Sequence, residues 1–73
     1  MYNIFSKYER ELQRIIKELE QYLANNYKTA AHEQRALLDE KSAAYERFLP
    51  RKRFLHYRKL AAKYNEMMKD YHH

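Results

Sequence analysis

Few side chains in this sequence could carry chemistry, and their spacing suits them poorly for it. The histidines are His32, His56, His72 and His73. His32 opens the run HEQRA, which begins like the zinc helix of a metalloprotease. Ala36 stands where the second metal-binding histidine is required. No Glu-x-x-His occurs, so the di-iron bundle motif is absent as well. His72 and His73 sit together at the end of the chain, as a weak chelating pair or an added tag. Ser6, Thr29 and Ser42 are the only aliphatic hydroxyls. Ser6 and Thr29 fall at expected helix starts, where capping accounts for them. Asp39 and Glu40 are adjacent carboxylates, but neighbours on a helix point in different directions. No nucleophile, base and orienting group can be assembled from this set. The expectation is a non-enzymatic protein with no metal site and no cofactor.

What the chain lacks narrows the classes further. It has no glycine, no cysteine and one proline among 73 residues. Phosphate-cradling loops and nucleophile elbows need backbone that approaches a ligand without a Cβ, so both are excluded. Two-residue hairpin turns lean on glycine too, which argues against antiparallel strands. Without cysteine there is no disulfide, thiolate metal site or thiol nucleophile, and a reducing cytosol suits the composition. MYNIFSKYEREL carries no apolar signal-peptide core. No apolar run approaches the roughly 20 residues of a membrane span, so integral membrane association is not expected.

The elements that must position any site are helices. Phe5, Tyr8, Leu12, Ile15, Leu19 and Tyr22 recur at intervals of 3, 4, 3, 4 and 3 residues, with Ile16 and Leu23 beside them. That is the signature of an amphipathic helix, expected over about residues 4–25. Asn3 or Ser6 is its candidate cap, and Ser6 with Glu9 matches a capping box. Asn25 and Asn26 are placed to end it in a left-handed turn. A second helix is expected over about 29–48. Its apolar residues come in pairs seven apart: Ala30 with Ala31, Leu37 with Leu38, Ala44 with Tyr45. Gln34 and Lys41 share that stripe, so its core face is thin, and its alanines invite close packing. Pro50 disfavours helical geometry at Leu49 and suits the first turn of a new helix. It marks a break or sharp kink before a third helix at about 50–71. There Phe54, Tyr57, Ala61, Tyr64, Met68 and Tyr71 repeat the 3, 4, 3, 4, 3 spacing. The expected fold is all-α: a single domain over 1–73, built as a small antiparallel three-helix bundle.

Charge singles out one face of that third helix. Residues 1–46 hold seven Lys/Arg and eight Asp/Glu, whereas residues 47–65 hold seven Lys/Arg and no acid. The whole net charge of +5 therefore resides in one short segment. At 100° per residue, Lys52, His56, Lys59 and Lys63 fall within about 60° of one another, opposite the Tyr57–Ala61–Tyr64 stripe. Arg51, Leu55, Arg58 and Ala62 form the adjoining row, and Arg53 lies in the first turn. Leu55 is then an apolar residue facing outward between two arginines. The plain alternatives are a solvated basic face, or Leu55 reaching a neighbouring helix at the stripe edge.

Three kinds of partner suit Arg51, Lys52, Arg53, Leu55, His56, Arg58, Lys59 and Lys63 as a contact face. A protein would use Leu55 and the arginines as anchors. A nucleic acid would lie along the ridge, with Arg51, Lys52 and Arg53 at the positive end of the helix dipole. An anionic membrane surface would meet the basic residues, but the apolar stripe it also needs is used within the bundle. The protein partner is the leading expectation and nucleic acid the alternative. Self-association is expected too, because a chain this short builds a marginal core. Of the eight tyrosines, Tyr8, Tyr22, Tyr57, Tyr64 and Tyr71 lie on the apolar stripes, as core residues or, at the stripe edges, as its candidate contacts.

Overall fold

The computed structural model describes residues 7–71. Phe5, the candidate caps Asn3 and Ser6, and the terminal His72 and His73 lie outside the described residues. Three helices follow one another: α1 (Lys7–Ala24), α2 (Lys28–Ala44) and α3 (Arg51–Met67). A 3₁₀ turn, Glu46–Phe48, joins α2 to α3. No strand occurs among the described residues. The helices run up, down and up. Tyr45 meets Glu11 while Gln34 meets Glu18, and Arg58 meets Ser42 while Asn65 meets Arg35. α1 and α3 are therefore parallel, and both are antiparallel to α2.

The predicted stripes form the core. Leu12, Ile15 and Leu19 of α1 are fully buried, as are Tyr57, Ala61 and Met68 on the α3 side, with Tyr64 buried beside them. From α2 come only Ala31, Leu38 and Ser42, and Leu49 closes the end below Pro50. The small residues let α2 lie close to both neighbours. α1 and α3 stand farther apart and are joined by long side chains, chiefly Tyr57, Tyr64 and Arg53.

Each helix end has a local cause. The Tyr27 N–H bonds to the Tyr22 carbonyl at 2.9 Å, and the Asn26 N–H to that of Leu23 at 3.2 Å. Asn26 sits at φ 62°. This is a Schellman motif with asparagine in the left-handed position, and the Tyr22 and Tyr27 rings meet beside it at 6.4 Å. α2 then starts at once. Its cap is Tyr27, not Thr29, and no side chain caps it. α2 ends at Ala44 rather than near residue 48, because the chain tightens into the 3₁₀ turn after Tyr45. Leu49 is extended at φ −122°, ψ 145°, as the residue before a proline prefers. Pro50 breaks the helix and occupies the cap position of α3, one residue before the first turn. α3 stops at Met67 rather than near residue 71. The Glu66 carbonyl accepts the Lys69 N–H and the Met68 carbonyl, just past the helix, accepts that of Tyr71, and the Tyr71 hydroxyl reaches Asn26 at 3.0 Å.

Asn26 offers a direct check. Asn26→Val forces a β-branched residue into the left-handed region and is expected to cost about 1–2 kcal/mol. Asn26→Gly keeps the turn and should remain within about 0.5 kcal/mol of the parent. Thermal unfolding followed by circular dichroism measures both.

Candidate partner-binding face

Burying tyrosines obliges the fold to find partners for their hydroxyls, and α1 supplies them. Glu9 is only 3% exposed. Its carboxylate accepts the Tyr57 hydroxyl at 3.0 Å and the Arg53 guanidinium at 2.6 Å. Gln13 donates to the Tyr57 oxygen at 3.2 Å. Farther along, the Tyr64 hydroxyl donates to Glu20 at 2.9 Å, and across the other helix pair Tyr45 donates to Glu11. The acids hold the tyrosine protons. Tyr45 is pushed up to about 12, first by its bond to Glu11 and then by burial. Tyr64 is pushed up to about 12 by burial, with Glu20 reinforcing it. Burial is also the main cause that raises Tyr57, opposed by Gln13 and aided by Glu9. Tyr8 stacks on Phe48 with ring centroids 4.4 Å apart and meets Tyr45 edge-on. The tyrosines expected at an interface are thus largely engaged inside the chain; among the described residues Tyr27 is the exposed one.

The expected contact residues divide into two groups. The three arginines among them, Arg51, Arg53 and Arg58, turn inward or sideways. Arg53 holds Glu9. Arg51 pairs with Glu46 at 3.3 Å. Arg58 spans to α2, where its Nη1 donates to the Asp39 carboxylate at 2.8 Å and to the Asp39 carbonyl and Ser42 Oγ at 2.9 Å. Arg35, Asn65 and Asp39 extend that polar seam. Ser42 is consequently a buried member of the α2–α3 contact, its own hydroxyl donating to the Asp39 carbonyl.

The remaining residues stay outside. Lys52, Leu55, His56 and Lys59 are exposed, together with Lys63. Leu55 is 45% exposed, and no neighbouring helix covers it. With Lys52, His56, Arg58, Lys59 and Ala62 it lines an open groove of about 670 Å³ along the outer side of α3. His56 is steadied by an edge-on contact with the Tyr57 ring at 5.0 Å. Lys52, Lys59 and Lys63 make no ion pair among the described residues. The arginines therefore anchor the helix while the lysines and Leu55 form its free face.

The other candidates are accounted for structurally. His32 donates its ring Nε2–H to the Tyr71 carbonyl, which fastens the C-terminal turn to α2. No group of three or more His, Asp or Glu side chains could hold a metal ion among the described residues. No described helix is long and apolar enough to cross a membrane.

These features define a small all-α three-helix bundle that exposes one basic, leucine-centred helix face. No protein-family model, curated protein or solved structure matches the chain.

Proposed function

We propose that the chain is a non-enzymatic helical adaptor or regulatory protein that docks on an acidic protein surface through the outer face of α3. The observation that carries this reading is Leu55: an exposed leucine in an open groove, flanked by the unpaired Lys52 and Lys59. An apolar anchor ringed by cations matches an apolar side chain ringed by carboxylates. Phosphates offer a leucine nothing.

The arginine pairing weighs in the same direction. Arg53 and Arg58 hold Glu9 and Asp39 and Arg51 makes an exposed pair with Glu46, so the unpaired cations of the face are its three lysines. Three phosphate contacts would give a log–log salt slope of only about −2.7 on duplex DNA.

Affinity capture from the native host, with and without nuclease, tests the reading. The expected catch is a protein that survives nuclease and is lost with Leu55→Ala, a central anchor worth on the order of 2 kcal/mol. Lys52→Ala or Lys59→Ala should mainly slow association and weaken its salt dependence. Nuclease-sensitive capture of nucleic acid, indifferent to Leu55→Ala, would establish the phosphate-binding alternative instead.

A further inference from the structure

The outer faces of α2 and α3 carry the same spacing with opposite charge. On α3, one row of exposed residues is Lys52, Leu55, Lys59, Ala62 and Glu66, at intervals of 3, 4, 3 and 4. On α2 and the 3₁₀ turn after it, a row of exposed residues at the same intervals is Glu33, Ala36, Glu40, Ala43 and Arg47. All ten are exposed. A 3, 4, 3, 4 repeat keeps such a row along one side of a helix, so two rows of this spacing can face one another along their length. Glu33, Glu40 and Arg47 have no ion-pair partner among the described residues, like Lys52 and Lys59. Glu66 pairs only with its near neighbour Lys69, at 2.9 Å.

We infer that the occupant of the α3 groove is a second copy of this chain, which presents the outer face of its α2. The inference rests on the reading of the α3 face as a protein-docking surface and names its partner. Laid parallel, the two rows set Lys52 against Glu33, Lys59 against Glu40 and Glu66 against Arg47. Leu55 then falls opposite Ala36, whose small side chain leaves room for it, and Ala62 opposite Ala43. The antiparallel register fails, because it sets Glu66 against Glu33 and Lys52 against Arg47. Charge complementarity thus selects both the partner and the direction.

The contact is heterologous: each copy offers an α3 face and retains a separate α2 face. Association therefore continues from copy to copy, into a ring if the rotation closes and an open chain if it does not.

Sedimentation velocity at low salt on the full chain tests this with charge reversal. The parent is expected to associate as concentration rises. Lys52→Glu with Lys59→Glu makes both faces acidic, and Glu33→Lys with Glu40→Lys makes both basic. Each double variant alone should weaken association by about a hundredfold, since like charges placed together cost several kcal/mol. An equimolar mixture of the two should associate again, because every acidic face then finds a basic one. The changed positions are exposed, and helix content by circular dichroism should match the parent. A parent that stays monomeric at high concentration overturns the inference. So does association that survives both double variants, or a mixture that remains monomeric. Loss of self-association with intact, Leu55-dependent capture of another protein would remove this partner and leave the docking reading standing.

Discussion

Replacing Arg53 with alanine is expected to cost the fold about 3 kcal/mol. The reason is what remains behind. Glu9 is a carboxylate almost without solvent contact, and Arg53 is its cationic partner across the α1–α3 gap. Breaking a buried pair by removing one member costs about 3–5 kcal/mol, and solvent access to the guanidinium places this one at the low end. A core of this size supplies only about 3–5 kcal/mol in total. Arg53→Ala should therefore populate unfolded chain at room temperature, measurable as a lowered urea midpoint. Glu9→Gln keeps an acceptor for Tyr57 and removes the stranded charge, so it should cost less, about 1–2 kcal/mol. Adding Glu9→Gln to Arg53→Ala should recover part of the loss, and the double-mutant cycle gives the coupling directly. Equal, additive costs for the two single changes would show that the pair is not coupled.

Glu9 also marks where the sequence was legible and where it was not. The stripes of α1 and α3 could be read because their 3, 4 spacing is the helix's own period, and Leu12, Ile15, Leu19, Tyr57, Ala61 and Tyr64 lie where that period puts them. The outward direction of Leu55 followed from the same geometry. From sequence, Glu9 matches only the capping box with Ser6. It lies three residues before Leu12 and seven before Ile16, at the margin of the apolar stripe. An acid in that position, in a chain whose tyrosines need acceptors, was the available signal. Gln13 and Glu20 continue the same polar column along α1, facing α3.

The arginines were harder to place. Arg53 and Glu9 are 44 residues apart, and Arg58 and Asp39 are 19 apart. Local spacing carries no trace of such pairs, so all seven cations of the segment read alike from sequence. Packing separates them by reach and direction. Arg53 and Arg58 flank the buried stripe and can reach acids on α1 and α2, while Lys52 and Lys59 lie opposite it and meet only solvent. This division also narrows what the basic segment can do. Its positive charge in the first turn of α3 opposes the helix dipole, and Glu46 and Glu9 offset that cost. Specificity on the free face then rests on Leu55 and on the pattern of the lysines rather than on total charge.

Alkaline unfolding between pH 10 and 12 is the second large effect expected. Tyr45 and Tyr64 ionise near the ordinary tyrosine value of about 10 when the chain is unfolded, but are held up to about 12 in the fold. The unfolded chain therefore gives up these protons first. The stability they contribute is fully present below pH 10 and is lost as pH rises through 12. A rise of two units corresponds to about 2–3 kcal/mol for a fully shielded hydroxyl, and solvent screening at these partly accessible ones reduces the contribution to about 1 kcal/mol each. The two together are a sizeable part of the stability of a core this small, and Tyr57 shifts in the same direction. Helix content by circular dichroism should fall across this window, together with a late step in tyrosinate absorbance. Tyr64→Phe separates the causes. At neutral pH it loses the bond to Glu20 and should be about 1 kcal/mol less stable than the parent. Near pH 12 it has no proton to lose at that position, so the order should reverse and the variant should outlast the parent. A parent that keeps its helices through pH 12 while every tyrosine titrates would show that the acids of α1 do not hold these protons.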